Sequence, residues 1–540
     1  MGLEDLFGAV LKRVDPLRGF ELLASLSRLH RVQGSEEIVI AVEHVAHALD
    51  ELGIEYRYEN LRGPLGLHEY WGFWEPRGWT LNNASLEVRE NSHWREVIST
   101  DETPLVAIAG SPPGSTEGVL RFREPPVLAT DSFNQAKYYM LEEQGVEAIV
   151  AFHLGPGIRY WSLYPPHFRS PPTTLAISVP GSTALSLVGK KIRVSINSSY
   201  EALSNTPILR ARIGSGSVSI VLVAHICHPR PGSHDNASGV AVLFETLAAL
   251  SAFMDKVENA GLRIEAFFVP EWAGTAAAHI HGLLDPSTII AGLSVDMVAA
   301  NLRETGGALR IVRSPPPMLN IVDPVLDLVL FEKDGDNYAS VARYEPGSDH
   351  DVLLSLGAPA SMLNEWPDKY YHTSLDTPDH ISVQRIRAIA ASIAASLLYI
   401  ADKQPSTLID RLGDASYPYR AERVEEQREL LKQAIEYTRA RVNALTKGKE
   451  PPSPPWSIDI EIRRRMPTLG YLYLSGYKDL ATGLSEKRKL YESFLVYAAI
   501  GAATKSTELA NKFLEANGLQ LGSDEKEVAR AFLEGQVKPA

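Results

Sequence analysis

Four side chains able to bind a metal ion lie close together in one loop of the sequence. The apolar run SVSIVLVAH (217–225) is typical of a buried strand, and it leads directly into the loop HICHPRPGSHDNASG (225–239). The metal-competent residues of this loop are His225, His228, His234 and Asp235. Any one of them alone could be a surface or helix-capping residue. Ligands bind outside the carboxyl ends of the strands in open α/β sheets, so this loop stands where a site is expected.

Further candidate ligands follow later strand-like runs in the same way. Glu271 follows one apolar run, Asp296 ends another, and His372 lies in a loop near the end of this region. Nitrogen and oxygen donors of these types are the ones that hold Zn²⁺. The only cysteine, Cys227, cannot form a disulfide within the chain or build a cysteine-rich zinc module. The pattern therefore predicts a metal site made of histidines and carboxylates.

The elements that must position these groups alternate between strand and helix from 217 to 405. Strand-like runs at 217–225, 263–269 and 289–296 are separated by helical apolar periodicity, and a further helix is predicted near 383–401. This alternation predicts an α/β fold with a largely parallel sheet covered by helices.

The same residues occur in motifs that resemble those of a known family. Zinc aminopeptidases, glutamate carboxypeptidases and glutaminyl cyclases of this family share a set of motifs that recur here in the same order. The matching residues are His225, Asp235-Asn236-Ala237-Ser238-Gly239, Glu271, Asp296, Ser348-Asp349-His350 and Tyr371-His372-Thr373. The resemblance covers roughly 17–60 and 200–405. It implies a three-layer, phosphorylase/hydrolase-like α/β fold with a mixed, mostly parallel sheet and helices on both faces.

The resemblance also implies a role for each matching residue. His225 and Asp296 would hold one zinc ion, His372 would hold another, and Asp235 would bridge the two. Glu271 falls on the family's general base, which activates the water that attacks the substrate.

Two positions depart from the family pattern. Cys227 replaces the aspartate that follows the first histidine, and Trp272 replaces the glutamate that binds the second zinc. Tryptophan cannot coordinate zinc, so either His228 or Asp349 supplies another ligand or the site holds one ion. His228 also competes with His225 as the ligand of the first ion.

The remainder of the chain divides into further regions. Residues 1–60 are predicted to be helices of the peptidase domain, 61–99 a connecting region of strands and turns, and 201–405 the metallopeptidase domain. Residues 100–200 look like the β-rich protease-associated domain that many family members insert before the metal-binding strand. Residues 406–540 are predicted to form a separate helical region after a change in composition. The Trp- and Pro-rich segment 74–79 and the H-x-C-H-P loop are most similar to an uncharacterised aminopeptidase-like branch of the family.

The amino-acid composition of the chain limits the classes of partner that it is expected to bind. The 53 basic and 66 acidic residues give a formal charge of -13, which is the wrong sign for a protein that binds nucleic acid. We expect no membrane span, because no stretch of about 18 uninterrupted apolar residues occurs. A cytoplasmic protein is therefore expected, with a peptide or small amide as substrate and with self-association into a homo-oligomer left open.

Hydrolysis of peptide amide bonds, as an aminopeptidase, is the function that the resemblance implies. Two alternatives stay open at this level. The scaffold could carry out a different amide reaction, either hydrolysis of a small acylated metabolite or cyclisation of an amino-terminal glutamine. The chain could also be a catalytically silent metal-binding interaction protein, as Trp272 would allow.

Overall fold

The main sheet positions the predicted site. The computed structural model describes residues 2–316, 318–334, 337–403, 408 and 425–539. Eight strands pair in the order β1-β9-β11-β10-β12-β15-β13-β14. Their bounds are β1 Tyr56–Arg62, β9 Asn205–Ile213, β10 Val218–His225, β11 Leu262–Val269, β12 Ile289–Val295, β13 Ala308–Val312, β14 Tyr338–Ala342 and β15 Ala360–Trp366. The central strands β11, β10, β12 and β15 are parallel, whereas β9 and β13 join them antiparallel.

Helices cover both faces of this sheet. Alternate residues of β10 belong to two different cores, with Ile220 and Leu222 in one and Val221 and Val223 in the other. Because successive side chains of a strand point to opposite faces, this division shows a buried core on each side of the sheet. The helices of the peptidase region are Leu3–Leu11, Pro16–Leu26, Glu36–Glu51, Gly239–Ser251, Met254–Asn259, Ala273–Ile280, Leu302–Thr305, Val322–Asp334, His350–Ser355 and Val383–Lys403. The predicted mixed, three-layer α/β fold is confirmed.

The long helix Val383–Lys403 passes a simple test for a membrane span by its length and apolar composition. In the fold it is a core helix, because two thirds of its apolar window is buried and it packs on the helices Leu3–Leu11, Pro16–Leu26, Gly239–Ser251 and Val322–Asp334. The sequence predicted this helix near 383–401, and polar residues such as Ser392 and Ser396, which interrupt its apolar run, bond to backbone carbonyls within the helix.

A second sheet lies between β1 and β9 in the chain. Its seven strands pair in the order β3-β2-β8-β4-β5-β6-β7. Their bounds are β2 Gly78–Glu90, β3 His93–Ser99, β4 Gly114–Arg121, β5 Val127–Thr130, β6 Ala148–His153, β7 Leu175–Pro180 and β8 Lys191–Glu201, with the short helices Leu67–Tyr70, Gln135–Glu143 and Gly181–Leu187 in the same stretch of chain. Since β2 pairs with both β3 and β8, residues 78–99 share this sheet with the strands up to 201. The predicted boundary at residue 100 therefore cuts through the sheet and does not separate two regions.

The C-terminal part of the chain is helical where the structure describes it. The helices are Glu425–Leu445, Leu469–Leu474, Lys478–Glu486, Arg488–Thr504, Thr507–Ala516 and Ser523–Leu533. The first buries Ala434 and Val442 in the peptidase core, and Arg441 donates a buried hydrogen bond of 2.8 Å to the carbonyl of Ile289. These contacts show that the described part of this region packs on the peptidase domain, which the change in composition could not reveal. The predicted boundary at 405–406 lies outside the described residues.

Candidate active site

His225 is the last residue of β10 and faces two carboxylates. Its Nδ1 is 3.1 Å from the carbonyl oxygen of Cys227, which can only accept, so Nδ1 carries the proton. Its Nε2 is 3.3 Å from Asp235 Oδ1 and 3.3 Å from Asp296 Oδ1. Metal-binding histidines are oriented in this way, with one ring nitrogen donating to a carbonyl and the other free to bind. Burial alone would lower the pKa of His225, but the charges of Asp296 and Glu271 outweigh it and raise the pKa.

His228 faces the other side of Asp235. Its backbone N–H donates to the carbonyl of Arg31 at 2.9 Å, and its Nδ1 donates to the carbonyl of Pro229 at 2.6 Å. Its Nε2 is buried, has no hydrogen-bond partner, and lies 3.7 Å from Asp235 Oδ2. Burial lowers the pKa of His228 to about 3, so the ring is neutral and its Nε2 lone pair is available.

His372 completes this second arrangement. Its Nε2 is 3.0 Å from Asp235 Oδ2, and its ring centre lies 5.4 Å from that of His228. Two sets of donor atoms therefore lie side by side, each within 4.8 Å internally. We call His225, Glu271 and Asp296 the first group, and His228, Asp235 and His372 the second group. Asp235 faces both groups through its two oxygens, as a bridging carboxylate would.

Glu271 lies in the turn that follows β11. Its backbone N–H donates to the sulfur of Cys227 at 3.1 Å, and the side-chain amide of Gln33 also contacts that sulfur, at 3.4 Å. Cys227 thus stabilises the turn that carries Glu271 from the position where relatives have an aspartate. Burial raises the pKa of Glu271 well above its usual range, and the nearby charges of Asp296 and Asp349 raise it further.

Asp349 lies behind this turn and is not a member of either group. Its Oδ1 accepts hydrogen bonds from the backbone N–H of Trp272 at 2.9 Å and from Thr275 Oγ1 at 2.7 Å. Burial raises the pKa of Asp349 to about 6. Of the two residues predicted as substitutes for the missing glutamate, the structure places His228 among the donors and Asp349 in a supporting position.

Trp272 forms part of the cleft wall. Its backbone has φ +58°, which turns the chain sharply between Glu271 and the helix Ala273–Ile280. Its ring centre lies 6.0 Å from that of Phe73, and both residues line the cleft. An apolar surface therefore stands beside Glu271.

Two anchors that sequence reasoning missed hold the loop with the metal-competent residues. The buried guanidinium of Arg31 donates to the carbonyls of Ile226 at 2.8 Å and Gly232 at 2.9 Å. The carboxylate of Asp376 accepts from the backbone N–H groups of His234 at 2.6 Å and Asp235 at 3.1 Å. Asp376 lies three residues after the Tyr371-His372-Thr373 motif, whereas nothing in the sequence around Arg31 points to its role.

His234, the remaining imidazole of this loop, is used for structure. Its Nδ1 is 2.6 Å from Asp368 Oδ2, and its Nε2 is 3.2 Å from Glu365 Oε2. Burial would lower the pKa of His234, but these two carboxylates raise it to about 10. Both ring nitrogens of His234 face carboxylates outside the two donor groups, so His234 fixes the loop.

Both groups open into one cleft of about 880 Å³. Its walls come from the peptidase sheet, from the region of the second sheet and from the C-terminal helices, the last contributing Tyr491. Tyr160, from the second region, places its ring centre 4.8 Å from those of both His228 and His372. Residues far apart in sequence thus enclose the site, which no single motif could indicate.

Comparison with known proteins agrees with this geometry. Residues 209–397 match the model of peptidase family M28, a family of hydrolases, and this range contains every residue of both groups. A search of curated proteins found no match.

Several solved structures share the fold. An aminopeptidase from Aneurinibacillus sp. strain AM-1 aligns over 73% of this chain and 96% of its own, at 18% identity and a TM-score of 0.51. BSAP, a zinc aminopeptidase from Bacillus subtilis, aligns over 72% of this chain and 95% of its own, at 14% identity and a TM-score of 0.54. A putative peptidase from Clostridium acetobutylicum aligns over 74% of this chain and 83% of its own, at 18% identity and a TM-score of 0.54.

Proposed function

Because residues 209–397 form a domain of peptidase family M28, we propose that this protein is a zinc-dependent hydrolase of peptide amide bonds that acts as an aminopeptidase. The observation that carries the proposal is the position of Glu271. Its carboxylate lies among the donors of the first group and lines the same cleft as Asp235 and His372. A proton-accepting group is thereby placed next to two sets of metal donors. Similarity in fold to a zinc aminopeptidase supports the same reading.

The donors present fit two zinc ions. In this proposal His225, Asp235 and Asp296 hold one ion, and His228, Asp235 and His372 hold the other. Each ion would then be held by three protein residues, the number that catalytic zinc sites use. The strongest support is His228 Nε2, because a buried polar atom without a partner is costly unless a ligand binds it.

Bound zinc would supply Lewis-acid polarisation of the substrate carbonyl and would lower the pKa of water. The residues of the chain provide the proton transfers. Glu271 takes a proton from the attacking water at its carboxylate and later gives it to the amine that leaves. Cys227 and Asp349 hold the backbone on either side of Glu271 by hydrogen bonds and so keep its carboxylate in place.

The apolar wall beside Glu271 suggests which first residue the site accepts. Phe73 and Trp272 both line the cleft there. A peptide beginning with an apolar side chain such as leucine would bury that side chain against these rings, and a fully buried leucine contributes about 1.5–3 kcal/mol.

We also propose that the region of the second sheet is a protease-associated domain. Its position in the chain, between two neighbouring strands of the main sheet, supports this. Through Tyr160 it contacts both histidines of the second group, so it would help to shape access to the site.

The test compares substrates on protein loaded with zinc, with metal content measured on the same sample. An aminopeptidase should hydrolyse leucyl p-nitroanilide and should leave its N-acetyl derivative intact, because the free amino group is required. Preferential cleavage of the acetylated compound would favour a small-amide hydrolase. Release of ammonia from a peptide with amino-terminal glutamine would favour a cyclase. Absence of all three reactions in protein that holds two ions would overturn the proposal in favour of a silent metal-binding protein.

A further inference from the structure

One wall of the cleft carries more positive than negative charge. Arg310 is paired with Glu345 at 2.9 Å, and Arg343 is paired with Glu492 at 3.4 Å. Two more cations that line the cleft stand at the start of the helix Arg488–Thr504, and these are Arg488 and Lys489. Both are exposed, and neither side chain has a carboxylate partner among the residues that the structure describes. The paired cations are neutralised within the protein, whereas Arg488 and Lys489 are not.

A third cation, Arg159, stacks on two aromatic residues of the cleft wall. The guanidinium of Arg159 stacks on Trp161, 5.2 Å from its ring centre, and on Tyr371, 5.7 Å from its ring centre. No ion pair of Arg159 occurs within the described ranges. Burial lowers the pKa of Arg159, and the nearby positive charge of Arg488 lowers it further. Arg159 therefore stacks on two residues that line the cleft and has no paired carboxylate among the described residues, an arrangement that a bound anion would stabilise.

The positive charge on this wall of the cleft is opposite in sign to the net charge of the whole chain. The protein carries a formal charge of -13, yet the cleft walls outside the two groups have unpaired cations. The lining also includes Asp235, Glu271 and Asp296, so the positive excess is confined to the wall away from the two groups, where it attracts ligands of the opposite sign. The local excess is thus a property of the site and is not inherited from the composition.

Ring contacts show how far the guanidinium of Arg159 lies from the second group. Tyr371, on which Arg159 stacks, is itself stacked on His372 with ring centres 3.8 Å apart. One aromatic ring therefore separates the guanidinium from the second group. An extended peptide advances roughly 3.3–3.6 Å per residue. An anion about two or three residues beyond an amide held at the two groups would reach Arg159.

We propose that Arg159, Arg488 and Lys489 bind a carboxylate that lies two or three residues beyond the cleaved amide bond, so that the preferred substrates are short peptides bearing this charge. Arginine is suited to the task because its planar guanidinium donates two parallel hydrogen bonds to a carboxylate. This inference rests on the proposed function for the location of the cleaved bond, but the binding that it describes does not require catalysis.

The test measures affinity in the zinc-loaded Glu271→Gln variant, which should bind peptides without consuming them. Leu-Gly-Gly with a free carboxyl terminus should bind at least about tenfold more tightly than its carboxyl-terminal amide, since hydrogen bonds to a charged group are stronger than those to a neutral one. The preference should weaken as salt is raised. Equal affinities for the two peptides would overturn the inference.

Variants assign the preference to the cations. Arg488→Gln combined with Lys489→Gln changes two exposed residues and should reduce the preference at least about fivefold, a moderate loss because exposed charges are screened. Lys487→Gln is the matched control, because Lys487 is the preceding residue, is exposed and does not line the cleft. Arg159→Gln provides an independent second variant. An unchanged preference in both cation variants would overturn the inference.

A further peptide identifies the source of the carboxylate. Leu-Gly-Glu amide carries its charge on a side chain, so tight binding of this peptide indicates recognition of acidic residues, and weak binding indicates recognition of the peptide terminus. The inference and the proposed function fail separately. Hydrolysis of leucyl anilide without any carboxylate preference would leave only the proposed function, whereas carboxylate-dependent binding without hydrolysis would leave only the subsite.

Discussion

The two donor groups are built by different means, although they share a cleft and meet at Asp235. The first group comes from the ends of the neighbouring strands β11, β10 and β12, which hold Glu271, His225 and Asp296. The second comes from loops, with His228 three residues beyond β10 and His372 beyond β15. Strand pairing fixes the first group, because parallel strands end at a common edge. The second group depends on hydrogen bonds from outside the sheet.

This difference explains why only one group departs from the family pattern. Loop residues can exchange roles when another side chain reaches the same space. Trp272 stands where the family resemblance expects a carboxylate, and the backbone bond between His228 and Arg31 holds the imidazole of His228 beside Asp235. If the proposed ligand set is correct, the site keeps its metal-binding capacity although one ligand comes from another segment of the chain.

Loss of the proton-transfer group should have the largest effect. Glu271→Gln should reduce hydrolysis of leucyl p-nitroanilide by about 10²–10⁴-fold, the usual contribution of a positioned acid–base group. Metal content should not fall, because the proposed role of Glu271 is that of a base. Glu486→Gln, which changes an exposed carboxylate outside the cleft, is the control. Full activity in Glu271→Gln, or loss of an ion from it, would show that the first group has been assigned wrongly.

Removal of His228 should affect the second group alone. His228→Ala should reduce the zinc content from about two ions to about one per chain, since three protein ligands are needed to hold a catalytic ion. His281→Ala is a matched control, because His281 is exposed and belongs to neither group. Elemental analysis of protein purified without chelator gives the answer. Unchanged zinc content in His228→Ala would remove His228 from the ligand set.

Restoring the family's glutamate sharpens this experiment. Trp272→Glu in the His228→Ala background should bring the zinc content back towards two, because a carboxylate would then stand where relatives carry one. Trp272→Phe in the same background should not, since it keeps an aromatic ring without a donor. If both double variants hold a single ion, the second group does not depend on either position.

The convergence of the residues at the strand ends could be predicted from the sequence. The residue that takes the place of the missing glutamate could not. His225, Asp296 and Glu271 each follow an apolar strand pattern, and their convergence follows from the parallel order of those strands. The choice between His228 and Asp349 depends on loop conformation, which is set by contacts with Arg31 about 200 residues away in the chain. The cations of the further inference come from two regions far apart in the chain, so their place around one cleft depends on tertiary packing that periodicity cannot reveal.

A chelator should remove the ions of the two groups at different rates, because the ligand side chains differ in solvent exposure. The side chain of His372 is 26% exposed, whereas those of His225 and Asp296 are 4% and 10% exposed. A chelator should therefore remove the ion of the second group first, and dialysis followed by elemental analysis should show two phases of zinc loss. Loss of both ions in one phase would show that Asp235 couples the groups too tightly for them to act as separate sites.

The smallest expected effect concerns the contact from the second sheet. Tyr160 packs its ring against His228 and His372, while its hydroxyl is 2.8 Å from the hydroxyl of Tyr164 and contacts neither histidine. Tyr160→Ala should lower the affinity of the second ion by about tenfold, the lower end of what residues supporting metal ligands contribute, and should leave the first ion unchanged. Tyr160→Phe keeps the ring and should have no effect on either ion. Titration of the protein depleted of metal with zinc, against a chromophoric competitor, resolves the two affinities. If Tyr160→Ala weakens both ions equally, or if Tyr160→Phe weakens the second as much as alanine does, the ring contact is not what stabilises the second group.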